Sequence, residues 1–273
     1  MQVLRRPLAA LFAGAALLTL AACAGPKAGE EVSSGVYDPL EKMNRATHQF
    51  NRGMDRILFR PASKGYVVVI PQSVRTSVSY FAENLGKPAE TVDYILQGKL
   101  KEAGVTVLRF VTNLTMGIGG LGDPATELGI PNYDTDFGEV LYTWGVGEGP
   151  YVELPFFGPS TARDSAGLVV DFFTNPIAYA TGDQTFRYVR YGSYILDQLN
   201  SRGTYSELID SILYGSADSY SQARIIYLQT RRYELAGDDG STYLESDADA
   251  NADSYEDFYA NAYDAPPYGD PPL

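Results

Sequence analysis

"NLTMGIGGLGDPA", residues 113 to 125, decides between two fold classes. Its centre, Gly117-Ile118-Gly119-Gly120-Leu121-Gly122, matches G-x-G-x-x-G, the glycine fingerprint that holds a dinucleotide pyrophosphate in α/β folds. That fingerprint requires a β-strand before it and a full crossover helix after it. Here Leu100, Ala103, Val107, Val111 and Leu114 recur at helical spacing, predicting a helix from Lys99 to about Met116. On the other side, Asp123-Pro124 opens a helix that Gly129 and Pro131 end within two turns. Glu139 lies loosely near the ribose-binding distance, but no βαβ unit fits before it. The dinucleotide reading fails and no cofactor is implied.

Helical patterns extend on both sides. Asp38-Pro39-Leu40-Glu41 reads as a helix start, with Asp38 as N-cap, Pro39 first and Glu41 reaching back. Leu40, Met43, Phe50, Met54 and Ile57 then form an amphipathic stripe, with Arg45, Arg52, Arg56 and Arg60 mostly on the other side. On an ordinary soluble protein those arginines make a solvated face. Beside a membrane they can pair bidentately with lipid phosphates, making Arg45, Arg52 and Arg56 candidate headgroup contacts. "YVVVI" (66 to 70) has strand propensity but no hairpin partner, and reads as helix. Val74, Val78, Phe81 and Leu85 predict a helix closed by Gly86 and Pro88, with a short one from Pro88 to Gln97. Further helices are expected over 161–173 and 183–199, from the box Thr204-Tyr205-Ser206-Glu207 to Tyr214, and over Ser219–Ala236 with a stop at Gly237. The class is mainly α, in one domain over residues 37–237. Within it, Leu121 to Pro159 is a central loop region crowded with Gly, Pro and aromatic residues. It reads either as a functional loop or as a core-packing loop with several turns.

The ends carry an address. Arg5 and Arg6 precede an uncharged run from Leu8 to Ala22, too short to span a bilayer, as in an export signal over residues 1–22. Leu20-Ala21-Ala22-Cys23 resembles a bacterial lipobox; the plainer alternative is an ordinary signal cut near Ala22. Cys23 is the single cysteine of the chain, which suits a lipid anchor better than a disulfide. Ala24 after it resembles an outer-membrane sorting signal. Residues 23–36 read as a tether. Residues 238–273 hold ten acidic residues and no Lys or Arg, and read as a disordered, acidic, Tyr-rich tail. The sharper reading of the tail is docking of Tyr255, Phe258, Tyr259 and Tyr263 on a partner.

Removing residues 1–22 takes away two arginines and no acid, so a net charge of −13 becomes −15. Such a chain would repel a phosphate backbone, and nucleic acid is excluded as a partner. His48 is the only histidine and no free cysteine remains, so a metal site lacks ligands. No G-x-S-x-G elbow surrounds any serine, which argues against a lipid hydrolase. Asp134/Asp136 and Asp238/Asp239 are acidic pairs of an ordinary kind. No enzyme is indicated.

The order of motifs resembles the MlaA (VacJ) family. It is carried by "DPLEKMNRATHQFN" (38 to 51), "RPASKGY" (60 to 66), "NLGKPAETVDYILQGK" (84 to 99), "RFVTNLTMGIGGLGDPA" (109 to 125), "FGEVLYTWGVGEGPYVELPFFGPSTARD" (137 to 164) and "FFTNP" (172 to 176). The tail lies outside these motifs, and residues 183–215 match weakly. The resemblance implies a ring-shaped helical lipoprotein embedded in the periplasmic leaflet of the outer membrane. Mislocalised phospholipid would leave the outer leaflet through its amphipathic channel. A periplasmic lipid-carrier protein would pass it to an ATP-driven complex in the inner membrane, and a trimeric porin would be a further partner. No catalytic residues carry over. The alternative is a structural lipoprotein that scaffolds porins or envelope assembly. Phe50 and the turn Met116, Gly117, Ile118, Gly119, Gly120 and Leu121 are the candidate lipid path.

Overall fold

The computed structural model describes residues 37–174 and 184–237. The signal segment, Cys23, the tether, the acidic tail and the end of "FFTNP" lie outside the described residues. Two compact units divide after Arg224, and everything below concerns the first unless stated.

The fold is mainly α, as the periodicity predicts. One helical run holds α1 (Glu41–Met54), a π-helical turn (Asp55–Phe59) and α2 (Arg60–Val69). "YVVVI" is helical up to Val69. Ile70 then turns extended, because Pro71 disfavours helical geometry in the residue before it. Next come α3 (Gln72–Leu96), α4 (Leu100–Thr115), α5 (Pro124–Glu127) and α6 (Phe137–Thr143). An antiparallel hairpin follows, β1 (Tyr151–Leu154) with β2 (Gly158–Thr161), pairing Tyr151 with Thr161 and Leu154 with Gly158. Then come α7 (Ala162–Thr174), α8 (Gln184–Thr204), α9 (Ser206–Asp210) with a π-helical end (Ser211–Gly215), and α10 (Ser219–Ala236). In the second unit, α10 ends where expected, at a left-handed Gly237 (φ 61°). In the first, α3 packs on α4 and α8, α8 also on α2, and α6 on α7.

Four local expectations are corrected. The predicted break at Gly86/Pro88 does not occur: α3 is one 25-residue helix with Pro88 inside. A proline removes one helical hydrogen bond, but packing along α4 and α8 and the buried Lys87, Asp93 and Tyr94 beside it hold the helix together. Asp38 does not cap α1, whose first turn has no side-chain cap. Its carboxylate instead accepts hydrogen bonds from Asn44, Tyr220 and Arg224. The Thr204 capping box does not form either: α8 runs through Thr204, and α9 starts with no side-chain cap. Lastly, the hairpin occupies part of the stretch read as loop. Four-residue strands, with Pro155 between them and Gly158 and Pro159 inside the second, are too short for periodicity to reveal.

The central finding is the direction in which the helices face. On α1 and the π turn, Asn44, His48 and Asp55 are buried and Asn51 is half-buried, all on one polar stripe. The apolar stripe points outward, with Met43, Phe50 and Ile57 exposed (Ile57 by 79%). Helix α4 repeats the pattern. Thr106, Arg109, Thr112 and Asn113 are buried with Ala103, while Leu100, Val107, Leu108, Val111 and Leu114 are exposed. Polar residues dominate the interior of a water-soluble domain only at a cost, because each must find a partner. Here they do so in clamps. Arg109 bonds Asp123, Thr126 and the carbonyl of Ile130; Asn113 bonds Asp123 and the backbone N–H of Ala125. Lys87, 2% exposed, holds Glu90, Asp134 and the carbonyl of Tyr133. Among the described residues, no helix is long and apolar enough to cross a membrane.

Candidate functional site

Two cavities lie side by side where α1, the π turn, the hairpin and α8 meet. One, of about 200 Å³, is lined by His48, Asn51, Arg52, Asp55, Glu153 and apolar residues including Met54 and Leu213. The other, of about 390 Å³, is lined by Tyr194, Ile195, Gln198, Leu199 and Arg202. Asp55, Phe59, Phe156 and Phe157 line both. The lining of each cavity thus combines charged or amide groups with rings and aliphatic chains.

The polar wall is fixed by long-range hydrogen bonds. The Asn51 side chain spans the hairpin tip: its Nδ2 donates to the Leu154 carbonyl (2.9 Å) and its Oδ1 accepts from Phe156 N–H (2.8 Å). Phe156 has a left-handed backbone (φ 68°), which a bulky residue adopts only when its surroundings impose it. Its ring stands edge-on to Phe50, with centroids 5.3 Å apart. Asp55 takes a bidentate pair from Arg202 (2.7 and 2.8 Å) and a hydrogen bond from the Tyr214 hydroxyl. Those hydrogen bonds raise Arg202 above its ordinary range. Burial pushes Asp210 upward, but hydrogen bonds from Arg60, Arg202 and Lys64 outweigh it and hold the carboxyl well below its usual value. Arg202 Nη1 and Arg52 Nε, both buried, donate to no acceptor in the structure.

The buried wall also contains a serine–histidine–glutamate relay that the sequence pattern did not reveal. His48 Nε2 lies 3.0 Å from Ser219 Oγ, and its Nδ1 lies 3.2 Å from Glu153 Oε1. The distances suit nucleophilic catalysis. The placement does not: Ser219 is buried at 8% exposure and lines neither cavity, so its oxygen has no path to an ester there. The relay ties α1 to the hairpin and to the start of α10. Only tertiary contact joins residues so far apart in sequence.

The candidate residues named from sequence separate into three places. Phe50 sits at the hairpin tip beside the cavities, and Arg52 lines the smaller one. Arg52, Arg56 and Arg60 crowd one ring, that of Tyr214, at 5.3, 5.0 and 5.1 Å. Arg45 is paired with Glu41 and bidentately with Asp218, whose hydrogen bonds raise the guanidinium above its ordinary range. Met116 to Leu121 form a separate turn between α4 and α5, bordering neither cavity. There Met116, Ile118 and Leu121 face outward, Ile118 by 82%. The glycines differ in purpose. A Cβ at Gly117 would lie 2.5 Å from the carbonyls of Asn113 and Gly122, whereas at Gly119 (φ 73°) it would meet open space.

A polar, clamped interior beneath apolar outer faces, with an amphipathic double cavity among them, defines an inside-out helical protein whose outer faces suit hydrocarbon better than water. The chain belongs to the MlaA lipoprotein family, whose model matches residues 36–234. It is 33% identical over 256 residues to the intermembrane phospholipid transport system lipoprotein MlaA of Escherichia coli K12, covering 92% of this chain and 95% of that one. Its Haemophilus influenzae counterpart, with the same description, is 30% identical over 223 residues (80% and 86%). An uncharacterized protein of Rickettsia felis is 35% identical over 190 residues (69% and 74%). A solved structure described as the structural basis for maintenance of bacterial outer membrane lipid asymmetry matches with a TM-score of 0.62 at 29% identity, covering 72% of this chain and 98% of that one.

Proposed function

We propose that this chain is an outer-membrane lipoprotein that removes mislocalised phospholipid from the outer leaflet. Anchored through Cys23 and embedded in the periplasmic leaflet, it passes the lipid through an amphipathic path to a periplasmic carrier, which delivers it to an inner-membrane ATP-driven complex. Maintenance of lipid asymmetry is the outcome, and a trimeric porin is its membrane partner. The family relationship supports the role, and the reversed polarity of α1 and α4 carries it. Leaving apolar chains in water is unfavourable by about 25 cal/mol per Å², a cost that a hydrocarbon surround removes. The charged wall of the double cavity suits a headgroup, and the unpaired Arg52 Nε and Arg202 Nη1 are donors of the kind a phosphate oxygen needs. Arg56 extends that basic character outside the cavity, whereas Arg45 is taken up by Glu41 and Asp218, and Phe50 and the apolar turn Met116–Leu121 offer the tails a surface. The role is transport without a chemical step.

Reconstitution of the full chain into liposomes without porin tests the reading. A fluorescently labelled phosphatidylethanolamine is expected to cross faster than in protein-free liposomes. Absence of passage would favour the scaffold reading, for which the broad exposed apolar faces would be protein-docking surfaces. In cells, deletion is expected to raise surface-exposed phospholipid and detergent sensitivity. Cys23→Ala should release the chain from membranes if the acyl group is its main anchor; retention would point to the helices.

A further inference from the structure

Three guanidinium groups surround one ring. Arg52, Arg56 and Arg60 hold their guanidinium carbons 5.3, 5.0 and 5.1 Å from the centre of the Tyr214 ring. They recur every fourth residue, and the π-helical turn Asp55–Phe59 carries the middle one. Such a series drifts round an α-helix, and the wider π turn takes up the drift. Like charges at this spacing repel, and their counter-charge is incomplete. The cations touching Tyr214 or Asp210 are these three, Lys64 and Arg202; against them stand two carboxylates, Asp210 and Asp55. The cluster thus keeps an excess of three positive charges, in a chain whose net charge is −13. Asp210 is spent on Arg60, Lys64 and Arg202, and Asp55 on Arg202 and the Tyr214 hydroxyl. Among the described residues, exposed Arg56 has the ring and no carboxylate, and Arg52 Nε is buried without an acceptor. Directly after Arg56 the chain exposes Ile57 and Leu58. Uncompensated positive charge beside exposed hydrocarbon suits an anionic amphiphile.

We propose that the arginine cluster around Tyr214 binds the headgroup of a lipid carrying two or more negative charges, as a phosphomonoester or as a pair of phosphodiesters. Guanidinium forks take phosphate oxygens in pairs, and a phosphomonoester brings roughly two charges at neutral pH. A zwitterionic headgroup fits poorly, since its ammonium would enter a region already rich in cations. Arg52 lines the smaller cavity while Arg56 and Arg60 line neither, so the site stands at the cavity's edge and outside it. It rests on the reading that these faces meet lipid, and not on passage through the cavities.

Thermal melts of the full chain in detergent test it, with added phosphatidic acid, cardiolipin, phosphatidylethanolamine or inorganic phosphate, since a ligand of the folded state raises the midpoint. Phosphatidic acid and cardiolipin are expected to raise it by several degrees, and phosphatidylethanolamine to leave it in place. Arg56→Gln and Arg52→Gln should each lose most of that rise. Lys101→Gln, which removes the same charge from an exposed position on α4, should keep it. The ligand-free melt of each variant shows that it folds. An equal rise with phosphatidylethanolamine, or a rise that both arginine variants retain, would overturn the site. A rise with inorganic phosphate as large as with phosphatidic acid would overturn the lipid assignment and leave a free-phosphate site. No rise in a chain that passes lipid in the liposome assay would sink the site and leave the transport reading standing; a selective rise in a chain that passes none would do the reverse.

Discussion

The cavity region and the glycine turn are both built on inverted helices, α1 in one case and α4 in the other, and differ in what lies beside them. Around the turn, Arg109, Asn113 and Asp123 share hydrogen bonds while Arg109 Nε stays unpaired, and the apolar residues above face outward. Around the cavities, two buried arginine nitrogens stay unpaired and a phenylalanine is held in left-handed geometry. Unpaired buried groups and a left-handed non-glycine residue occur in both regions, Arg109 Nε and Ile118 (φ 54°) at the turn. What sets the cavity region apart is that its unpaired donors belong to Arg52 and Arg202, which line the cavities that the turn does not border. The glycine fingerprint that first suggests chemistry thus belongs to the surface, and the chemistry-bearing groups lie elsewhere.

The largest effect that would sharpen this contrast is at Asp55. Asp55→Ala leaves buried Arg202 with Asp210 alone, and should cost about 4 kcal/mol in denaturant unfolding. A loss under about 1 kcal/mol would mean that the cavity wall does not depend on that pair. On the turn, Gly117→Ala should cost about 3 kcal/mol, because the new methyl meets two backbone carbonyls.

Asp93, on the clamped side, gives a pH signature. Burial first, then Asp171, Asp136, Glu90 and Glu139, raises its carboxyl to about 8. The folded chain therefore holds a proton there that the unfolded chain has already released at neutral pH. Stability is fullest below the ordinary carboxyl range and falls as pH rises towards 8. Asp93→Asn should match wild type at pH 4 and exceed it by about 2 kcal/mol at pH 9, after allowing for solvent screening. Parallel stability curves would contradict the assignment.

Smaller still, Gly119→Ala should cost about 1 kcal/mol, from backbone geometry alone. A side chain added at Gly119 or at Gly120 can act on transport or on packing. The structure separates the two: a Cβ at Gly120 (φ 93°) would lie 2.7 Å from the Asn84 amide, so only Gly119 isolates transport from packing. The slightest change in stability, under about 0.5 kcal/mol, is expected for exposed Arg56→Gln. Slower lipid passage in that variant would extend the site beyond the cavities.

Much of the fold was legible because periodicity survives inversion. The stripe Met43, Phe50 and Ile57 marks α1 whichever side it faces, and Ser219 to Gly237 bounds α10 by ordinary stop chemistry. Periodicity separates two faces without naming the solvent of either, so the outward turn of the apolar stripe was not readable from it. A second stripe, Asn44, His48, Asn51 and Asp55, held the clue, since amides and a histidine at helical spacing can be buried only among fixed partners. Those partners are some hundred or more residues away, as Glu153 is from His48 and Arg202 from Asp55. Local pattern carries no information at that range, which is why the cavities, the relay and the hairpin emerged only in three dimensions.

The account stands most directly on what surrounds the apolar faces. Nitroxide labels at Ile57→Cys and Leu108→Cys, on the full chain in phospholipid bilayers, report that by relaxation with oxygen and with a water-soluble nickel chelate. Both positions are exposed and apolar, on α1's π turn and on α4. The account predicts high oxygen and low nickel accessibility at both. Free access of the nickel chelate at both would place those faces in water and contradict it.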